Sequence, residues 1–410
     1  MIFVQIAAYR DPELLPTIID CIAKAKYPKN LNFGICWQTD SSDRSIEPLR
    51  LLENFRIDKV PWQKSEGLCW ARARIQALYK GEDYTLQLDS HHRFAENWDD
   101  KLINACELTG SPKPIITTYA GIYDPATNEK RTDHPYKMVA ERFTDSGTII
   151  FRPHSIPGWQ ELKKPIPARF VSGHFYFTLG CHCHEYAYDP NLYFAGDEIS
   201  LSIRSFTLGY DLFHPHRPVI WHEYTRQGRV KHWDDHTLTN KAVVAKAWHE
   251  RDVISKRRLR KLLKEEDCDE DLTGYGLGNV RTHHDYELYA GIDFANRRLH
   301  PQTKLGIDPP CTYVEGESWN DCSVSERILT LKWNNDELEK CDDCQFVYFG
   351  VEDETGKVLY RHDAPPESAE AQHSINERAV QFSADSDPKK LVVWPYSHSR
   401  GWLKKSEFWI

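Results

Sequence analysis

Continuous apolar runs alternate with helical periodicity along the first 120 residues. "IFVQIAAY" (2–9) is apolar throughout and ends in a polar corner, as a strand buried on both faces does. "DPELLPTIIDCIAKA" (11–25) carries helical spacing behind an Asp-Pro start, and "LNFGICWQT" (31–39) is a second buried strand. "EGLCWARARIQALYKG" (66–81) reads as a helix stopped by Gly81, "YTLQLDS" (84–90) as a strand, "NWDDKLINACEL" (97–108) as a helix and "PIITTYAG" (114–121) as a strand. This alternation predicts an α/β, Rossmann-like fold: a mainly parallel sheet flanked by helices, with its ligand beyond the carboxyl ends of the strands. Tyr9, Arg10, Asp40, Asp89 and His91 fall at those ends.

The pattern loosens between residues 125 and 230, where "RFVSGHFYFTLG" (169–180) is a strand candidate and "AGDEISLSIRSFTLGYDL" (195–212) a helix followed by a strand. A charged helical stretch fills 238–266. Beyond residue 310 the character changes. "CQFVYFGVEDETGKVLYRHD" (344–363) reads as a hairpin around Glu-Thr-Gly-Lys, and "LVVWPYSHSRGW" (391–402) as a closing strand. The expectation is a main domain over 1–309 and a small, mainly β accessory region over 310–410, since single cores rarely exceed roughly 300 residues.

Composition narrows the partners. A net charge of -9 gives no uniform basic field, so nucleic acid is not an expected partner, and "SKRRLRKLLK" (255–264) reads as a solvated helix face. No window approaches the ~20 apolar residues of a membrane span, and the N-terminus has no basic leader, which predicts a cytoplasmic protein. Eleven cysteines without a disulfide-like rhythm suit reduced thiols. "CHCH" (181–184) and "CDDC" (341–344) lack a convincing second half-site for zinc; Cys341 and Cys344 would need two more ligands, for which Cys311 and Cys322 are no more than candidates, and ordinary thiols are the expectation.

The stretch "LQLDSHHRF" (86–94) carries the chemistry. On one continuous strand, Gln87, Asp89 and His91 share a side while Ser90 points away and His92 falls out of phase. A carboxylate oxygen with an imidazole nitrogen suits a borderline divalent ion such as Mn2+, which neutralises charge on a departing diphosphate. A D-x-H taken alone fits a surface aspartate beside a hydrogen-bonded histidine better than a metal site, because the motif is short. His174, His182, His184, His214, His216 and His232 crowd the central region, and "HPH" (214–216) reads as a structural turn.

The wider segment "EGLCWARARIQALYKGEDYTLQLDSHHRFAENWDDKLI" (66–103) resembles the nucleotide-sugar-dependent glycosyltransferases of the GT-A fold. The specific likeness is to cytoplasmic N-acetylglucosaminyltransferases that modify hydroxyproline on a ubiquitin-ligase adaptor; polypeptide N-acetylgalactosaminyltransferases are similar at a greater distance. It continues through "AAYRDPELLPTI", "RFVSGHFYFTLG", "FAGDEISLSIRSFTLGYDLFHPHRPVIWHEYTR" and "GLGNVRTHHDYELYAGIDF", in order, over roughly residues 1–300. The resemblance implies that Asp89, Ser90 and His91 hold the metal and the donor diphosphate, and that His222 completes the metal site. It implies donor contacts from Ala8, Tyr9, Arg10 and Arg72, with Arg226 covering the diphosphate on a closing loop. Asp197 and Glu198 become the candidates for orienting the acceptor hydroxyl. The implied reaction is Mn2+-dependent (or Mg2+-dependent) transfer of GlcNAc from UDP-GlcNAc to a hydroxyl on a protein, peptide or glycan, with retention. Nothing in the sequence reads out the acceptor, so hydroxyproline specificity does not carry over. A metal-dependent hydrolase and a non-catalytic carbohydrate-binding protein, with the β region as its module, stand as alternatives.

Overall fold

The computed structural model describes residues 1–144, 146–226, 228–265, 268–313, 325–364, 375–384 and 386–410. The chain forms two compact units, one of Met1–Glu141 with Gly147–Glu315 and one of Arg142–Ser146 with Gly316–Ile410.

In chain order the elements begin with β1 (Ile2–Tyr9), α1 (Leu14–Lys24), β2 (Leu31–Thr39), β3 (Phe55–Pro61), α2 (Leu68–Gln76), β4 (Tyr84–Asp89), β5 (His92–Phe94) and α3 (Trp98–Thr109). Seven strands and a short helix follow: β6 (Pro114–Thr117), β7 (Gly121–Asp124), β8 (Glu129–Lys130), β9 (Tyr136–Phe143), β10 (Ile149–Ser155), β11 (Ile166–Pro167), β12 (Phe175–Leu179) and α4 (His182–Glu185). Next come α5 (Asp197–Thr207), β13 (Asp211–His214), β14 (Ile220–His222), α6 (His232–Asp235), α7 (Trp248–Leu262) and α8 (His283–Ala290).

The central sheet has the order β11-β13-β6-β12-β4-β1-β2-β3. β4, β1, β2 and β3 run parallel, β13 runs parallel to β6, and β12 is reversed between β4 and β6. Helices cover both faces because the strands are apolar on both. Val4, Ile6 and Ala8 pack with Leu14, Ile18 and Cys21, which α1 presents at helical spacing, whereas Phe3 and Ala7 face Ala71 and Ile75 of α2. The parallel core flanked by helices is thus the architecture that the alternating pattern predicts.

The expected continuous strand through His91 does not form. β4 ends at Asp89, and β5 joins a second sheet of order β5-β14-β7-β8. Thr17 of α1 supplies what the broken ladder lacks: its hydroxyl donates to the Ser90 carbonyl (2.9 Å) and accepts from the His92 N–H (2.9 Å). Ser90 consequently does not point away, and its hydroxyl donates to Asp11 (2.7 Å). β14 pairs antiparallel with β5, setting His222 opposite His92.

Two further expectations change. Arg258 of the basic stretch is buried against Asp189 (2.7 Å), so α7 is not simply a solvated face. "HPH" divides between β13 and the turn after it: buried His214 donates from Nδ1 to the Thr117 carbonyl (2.8 Å), and His216 lies half-buried.

The C-terminal unit is mainly β. β17 (Ser325–Asn334) pairs with β20 (Ile375–Ala384), while β18 (Cys344–Glu352), β19 (Val358–Ala364), β21 (Lys390–Ser397), β22 (Gly401–Trp402) and β23 (Ser406–Trp409) make a five-stranded antiparallel sheet; β15 (Ile292–Asp293) and β16 (Arg298–Leu299) precede them in the chain. The β18–β19 hairpin turns where Glu-Thr-Gly-Lys lies, with Asp353 accepting from the N–H groups of Thr355 and Lys357. Leu331, Trp333, Val347, Phe349, Val380, Phe382 and Val393 form its core. Cys341 and Cys344 are free, and Cys322 lies outside the described residues. Among the described residues, no helix is long and apolar enough to cross a membrane.

Candidate active site

The parallel register of β1 and β4 sets Ala7 beside Asp89, so the first apolar run and the D-x-H stretch end together. β14 delivers His222 to the same place. Asp89, His91 and His222 each present a ligand atom, all within 4.8 Å of one another. The His222 Nε2 lies 3.6 Å and the His91 Nε2 3.8 Å from Asp89 Oδ2. His222 is buried with neither ring nitrogen hydrogen-bonded, a costly state unless another group takes a lone pair.

The protonation states suit a cation. Burial would raise Asp89, but His222, Arg72 and His91 outweigh it and hold the carboxyl well below its ordinary range. Burial pushes His222 well below the usual histidine range, leaving a neutral imidazole. An anionic oxygen and a neutral ring nitrogen are the forms in which these side chains ligate metal.

Asp11 orients the third member. Its Oδ2 lies 2.7 Å from His91 Nδ1, so that nitrogen carries the proton and Nε2 faces Asp89. Burial would raise the Asp11 carboxyl, yet His91, Arg229 and Ser90 hold it at about 2. Arg229 completes the cluster, pairing with Asp11 (3.3 Å) and Glu223 (3.1 Å). Its Nη1 lies 2.7 Å from His91 Nε2 and also against Nδ1, so the guanidinium is set against the imidazole ring beside the cluster.

His92 and His174 wall the site. Their rings stand 4.8 Å and 4.5 Å from the His222 ring, the second stacked at 28°. Burial keeps both well below the ordinary histidine range. Contrary to the strand phase expected from sequence, His92 is therefore in contact with the site.

A cavity of about 180 Å³ opens over the cluster. Of the sequence candidates, Tyr9, Asp89, Ser90, His91, His222 and Arg226 line it; Ala8, Arg10, Arg72, Asp197 and Glu198 do not. Ala7 lines it in place of Ala8, whose side chain alternation turns into the α1 face. The Tyr9 hydroxyl donates to Asp235 (2.8 Å), and Arg10 pairs with Asp235 (2.9 Å) and Asp43 (3.4 Å). Arg226 sits over the rings of Trp233 (5.2 Å) and Phe194 (5.7 Å). Arg10 and Arg226 both adopt left-handed backbone, with φ of 48° and 57°, a strain that tends to gather at ligand sites.

Arg72 is a strut behind the cavity. Only 2% exposed, it pairs with Asp89 (3.2 Å) and Asp197 and donates to the Gly173 carbonyl. A Cβ at residue 173 would fall 2.9 Å from Asp197 Oδ2, so glycine is what lets the backbone approach this pair. Glu198 keeps partial exposure; its carboxylate accepts from the Tyr119 hydroxyl (2.7 Å) and the Gly173 N–H (3.0 Å), and desolvation pushes it up to about 7. Sequence reasoning passed over Asp11, His92, His174, Glu223 and Arg229; for Asp11 the available signal was its place directly after the first strand end.

Fold and site define a GT-A-like α/β protein with a carboxylate and two imidazoles gathered where they could hold a divalent metal. Residues 1–52 and 45–296 match the family Glycosyltransferase (GlcNAc), and the chain belongs to that family. No match was found among curated proteins. Among solved structures it is similar to GalNAc-T7 with UDP, GalNAc and Mn2+, at a TM-score of 0.46 and 13% identity over 70% of this chain. The chain spans 56% of that protein's length. It is also similar to S. aureus TarS 1-349 in complex with UDP-GlcNAc, at a TM-score of 0.36 and 10% identity, covering 64% of this chain and 72% of that one.

Proposed function

We propose that the protein is a divalent-cation-dependent glycosyltransferase that moves GlcNAc from UDP-GlcNAc to a hydroxyl of a protein or glycan, with retention of configuration. The observation that carries this reading is the convergence of Asp89, His91 and His222 at the joined ends of β1 and β4, in a cavity that also holds Arg226. One carboxylate and two neutral imidazoles suit Mn2+ (or Mg2+) and leave coordination positions for diphosphate oxygens. The cation supplies Lewis-acid neutralisation of the departing nucleoside diphosphate.

The remaining residues bind and orient. At the end of β1, Ala7 and Tyr9 receive the nucleotide, with Ala8 and Arg10 behind them outside the cavity lining; Ser90 and Arg226 face the diphosphate, and the partly desolvated aromatic seat of Arg226 strengthens its attraction for an anion. Arg72 acts on the donor through Asp89, whose carboxylate it steadies. Of the two acids at the start of α5, we assign orientation of the acceptor hydroxyl to the partly exposed Glu198, while Asp197, buried against Arg72, holds that arginine in place. Both carboxylates are engaged by protein partners, which favours transfer in which the donor's own phosphate takes the acceptor proton. The ten described cysteines are all free, which suits a reducing cytoplasm.

Thermal-shift measurement with UDP, GDP and ADP, each with and without Mn2+, tests the donor assignment. UDP with Mn2+ is expected to give the largest rise; equal rises for all three contradict it. UDP release from UDP-GlcNAc should accelerate when hydroxyl acceptors are added, whereas indifference to acceptor indicates a hydrolase.

A further inference from the structure

Strand alternation sorts the C-terminal sheet into two faces. Val347, Phe349 and Val351 of β18 and Leu391 and Val393 of β21 enter the core. The opposite face carries Phe346, Tyr348, Trp394, Tyr396 and Trp402. Register sets Tyr348 beside Trp394, Phe346 beside Tyr396, and Tyr396 beside Trp402. These rings meet: Trp394 and Trp402 lie 4.5 Å apart at 35°, and Phe346 stacks on Tyr396 at 5.2 Å and 14°. These five aromatic residues lie outside the core cluster: Tyr348 is buried among its neighbours, Phe346, Trp394 and Tyr396 are half-buried, and Trp402 stays 42% exposed.

The face is shaped as well as aromatic. A Cβ at residue 350 would fall 2.4 to 2.6 Å from the Tyr348 ring, so Gly350 lets that ring lie along the sheet instead of rising from it. Beside it is a cavity of about 290 Å³, near the lower bound of small-molecule sites, lined by Tyr348, Trp394 and Trp402 together with Glu352, Arg361 and Lys405. The charges there balance. Arg361 pairs with Asp363 (2.8 Å) and lies over the Tyr348 ring (5.2 Å), while Lys390 and Lys405 are each shared between Glu352 (3.2 and 3.5 Å) and Glu407 (3.0 and 3.1 Å), three cations to three carboxylates. A phosphate-bearing ligand such as single-stranded nucleic acid wants a surplus of cations beside its stacking rings. Here the balance favours an uncharged ligand that offers flat apolar faces and many hydroxyls.

The geometry points to a glycan-binding site on the C-terminal unit, taking an uncharged, β-linked oligosaccharide of gluco configuration. In such sugars every ring substituent is equatorial, so both faces of the pyranose are C–H surfaces that stack on Trp394, Trp402 and Tyr348. Their hydroxyls meet the rim formed by Glu352, Arg361 and Lys405. The site is separate from the Asp89 cluster and does not depend on the transfer reaction.

Calorimetric titration of the full chain with cellohexaose and with chitohexaose, without nucleotide or metal, tests this. At least one probe should bind, and Trp402→Ala should weaken that binding roughly tenfold or more. Trp402→Phe, which keeps a stacking face, should retain most of it, and the UDP-dependent thermal shift should be the same in all three proteins. Failure of both probes to bind, or equal binding by Trp402→Ala, overturns the site. So does sedimentation showing a self-associated chain that Trp402→Ala turns into a monomer, because the face would then belong to a second copy.

Discussion

Asp11 serves two elements at once. Its Oδ1 accepts from the Glu13 N–H at the entry to α1, while its Oδ2 takes His91 and Ser90. The sequence shows the first role, as an Asp-Pro helix start, and hides the second, because the partner histidine lies far along the chain. Asp89 and His91 stood out as a D-x-H pair and His222 entered only through the family resemblance, whereas Glu223 and Arg229 carry no periodic signal. Asp11→Asn should lower Mn2+ affinity by roughly 10- to 100-fold, read by metal titration, because an amide no longer fixes the imidazole proton on Nδ1. Unchanged affinity would show that His91 is oriented by something else. Glu198 gives a pH signature of its own. Its folded carboxyl sits at about 7, above the ordinary 4.5, so the fold favours the protonated form. That contribution to stability is fully present below pH 4.5 and is lost as pH rises through 7. Glu198→Gln cannot ionise, and its thermal midpoint should fall less than the wild type's across that window. Parallel curves for the two proteins would contradict the shift.

At the scale of elements, the break between β4 and β5 makes the site. A strand running on through His91 would keep Asp89 in one sheet and never meet β14. Ending it at Asp89 passes the chain to the second sheet, where pairing with β14 brings in His222. Periodicity located both apolar strands and the helices between them but not this break, because its cause is the Thr17 hydroxyl on α1, distant in sequence. The reversal of β12 was equally hidden, since an apolar run has no direction. Thr17→Val keeps the shape of the side chain and removes both hydrogen bonds, leaving the Ser90 carbonyl and His92 N–H short of a partner. It should destabilise the protein by about 1–3 kcal/mol in urea denaturation and weaken Mn2+ binding along with it. Loss of neither would mean that the break is held from elsewhere.

At the scale of the whole molecule, two units with separate cores carry two kinds of site: buried titratable groups at strand ends in the first, and a cluster of largely half-buried rings on a sheet face, with Trp402 exposed, in the second. The change of character past residue 310 was visible as a shift from βα alternation to hairpin patterning. The aromatic face was not, because it requires knowing which side of β18 and β21 meets the core. The central claim concerns the first unit: Asp89, His91 and His222 together bind the cation through which UDP is held. Calorimetric titration of UDP in the presence and absence of Mn2+, on wild type, Asp89→Asn and His222→Ala, tests it most directly. Asn keeps the shape of Asp89 and removes its charge, so packing is little disturbed. The expected result is UDP binding that depends on Mn2+ in the wild type and is weakened by at least roughly tenfold in each variant, with folded protein in all three cases. UDP binding of equal strength in wild type with and without Mn2+, or undiminished Mn2+-dependent binding in both variants, would contradict the account.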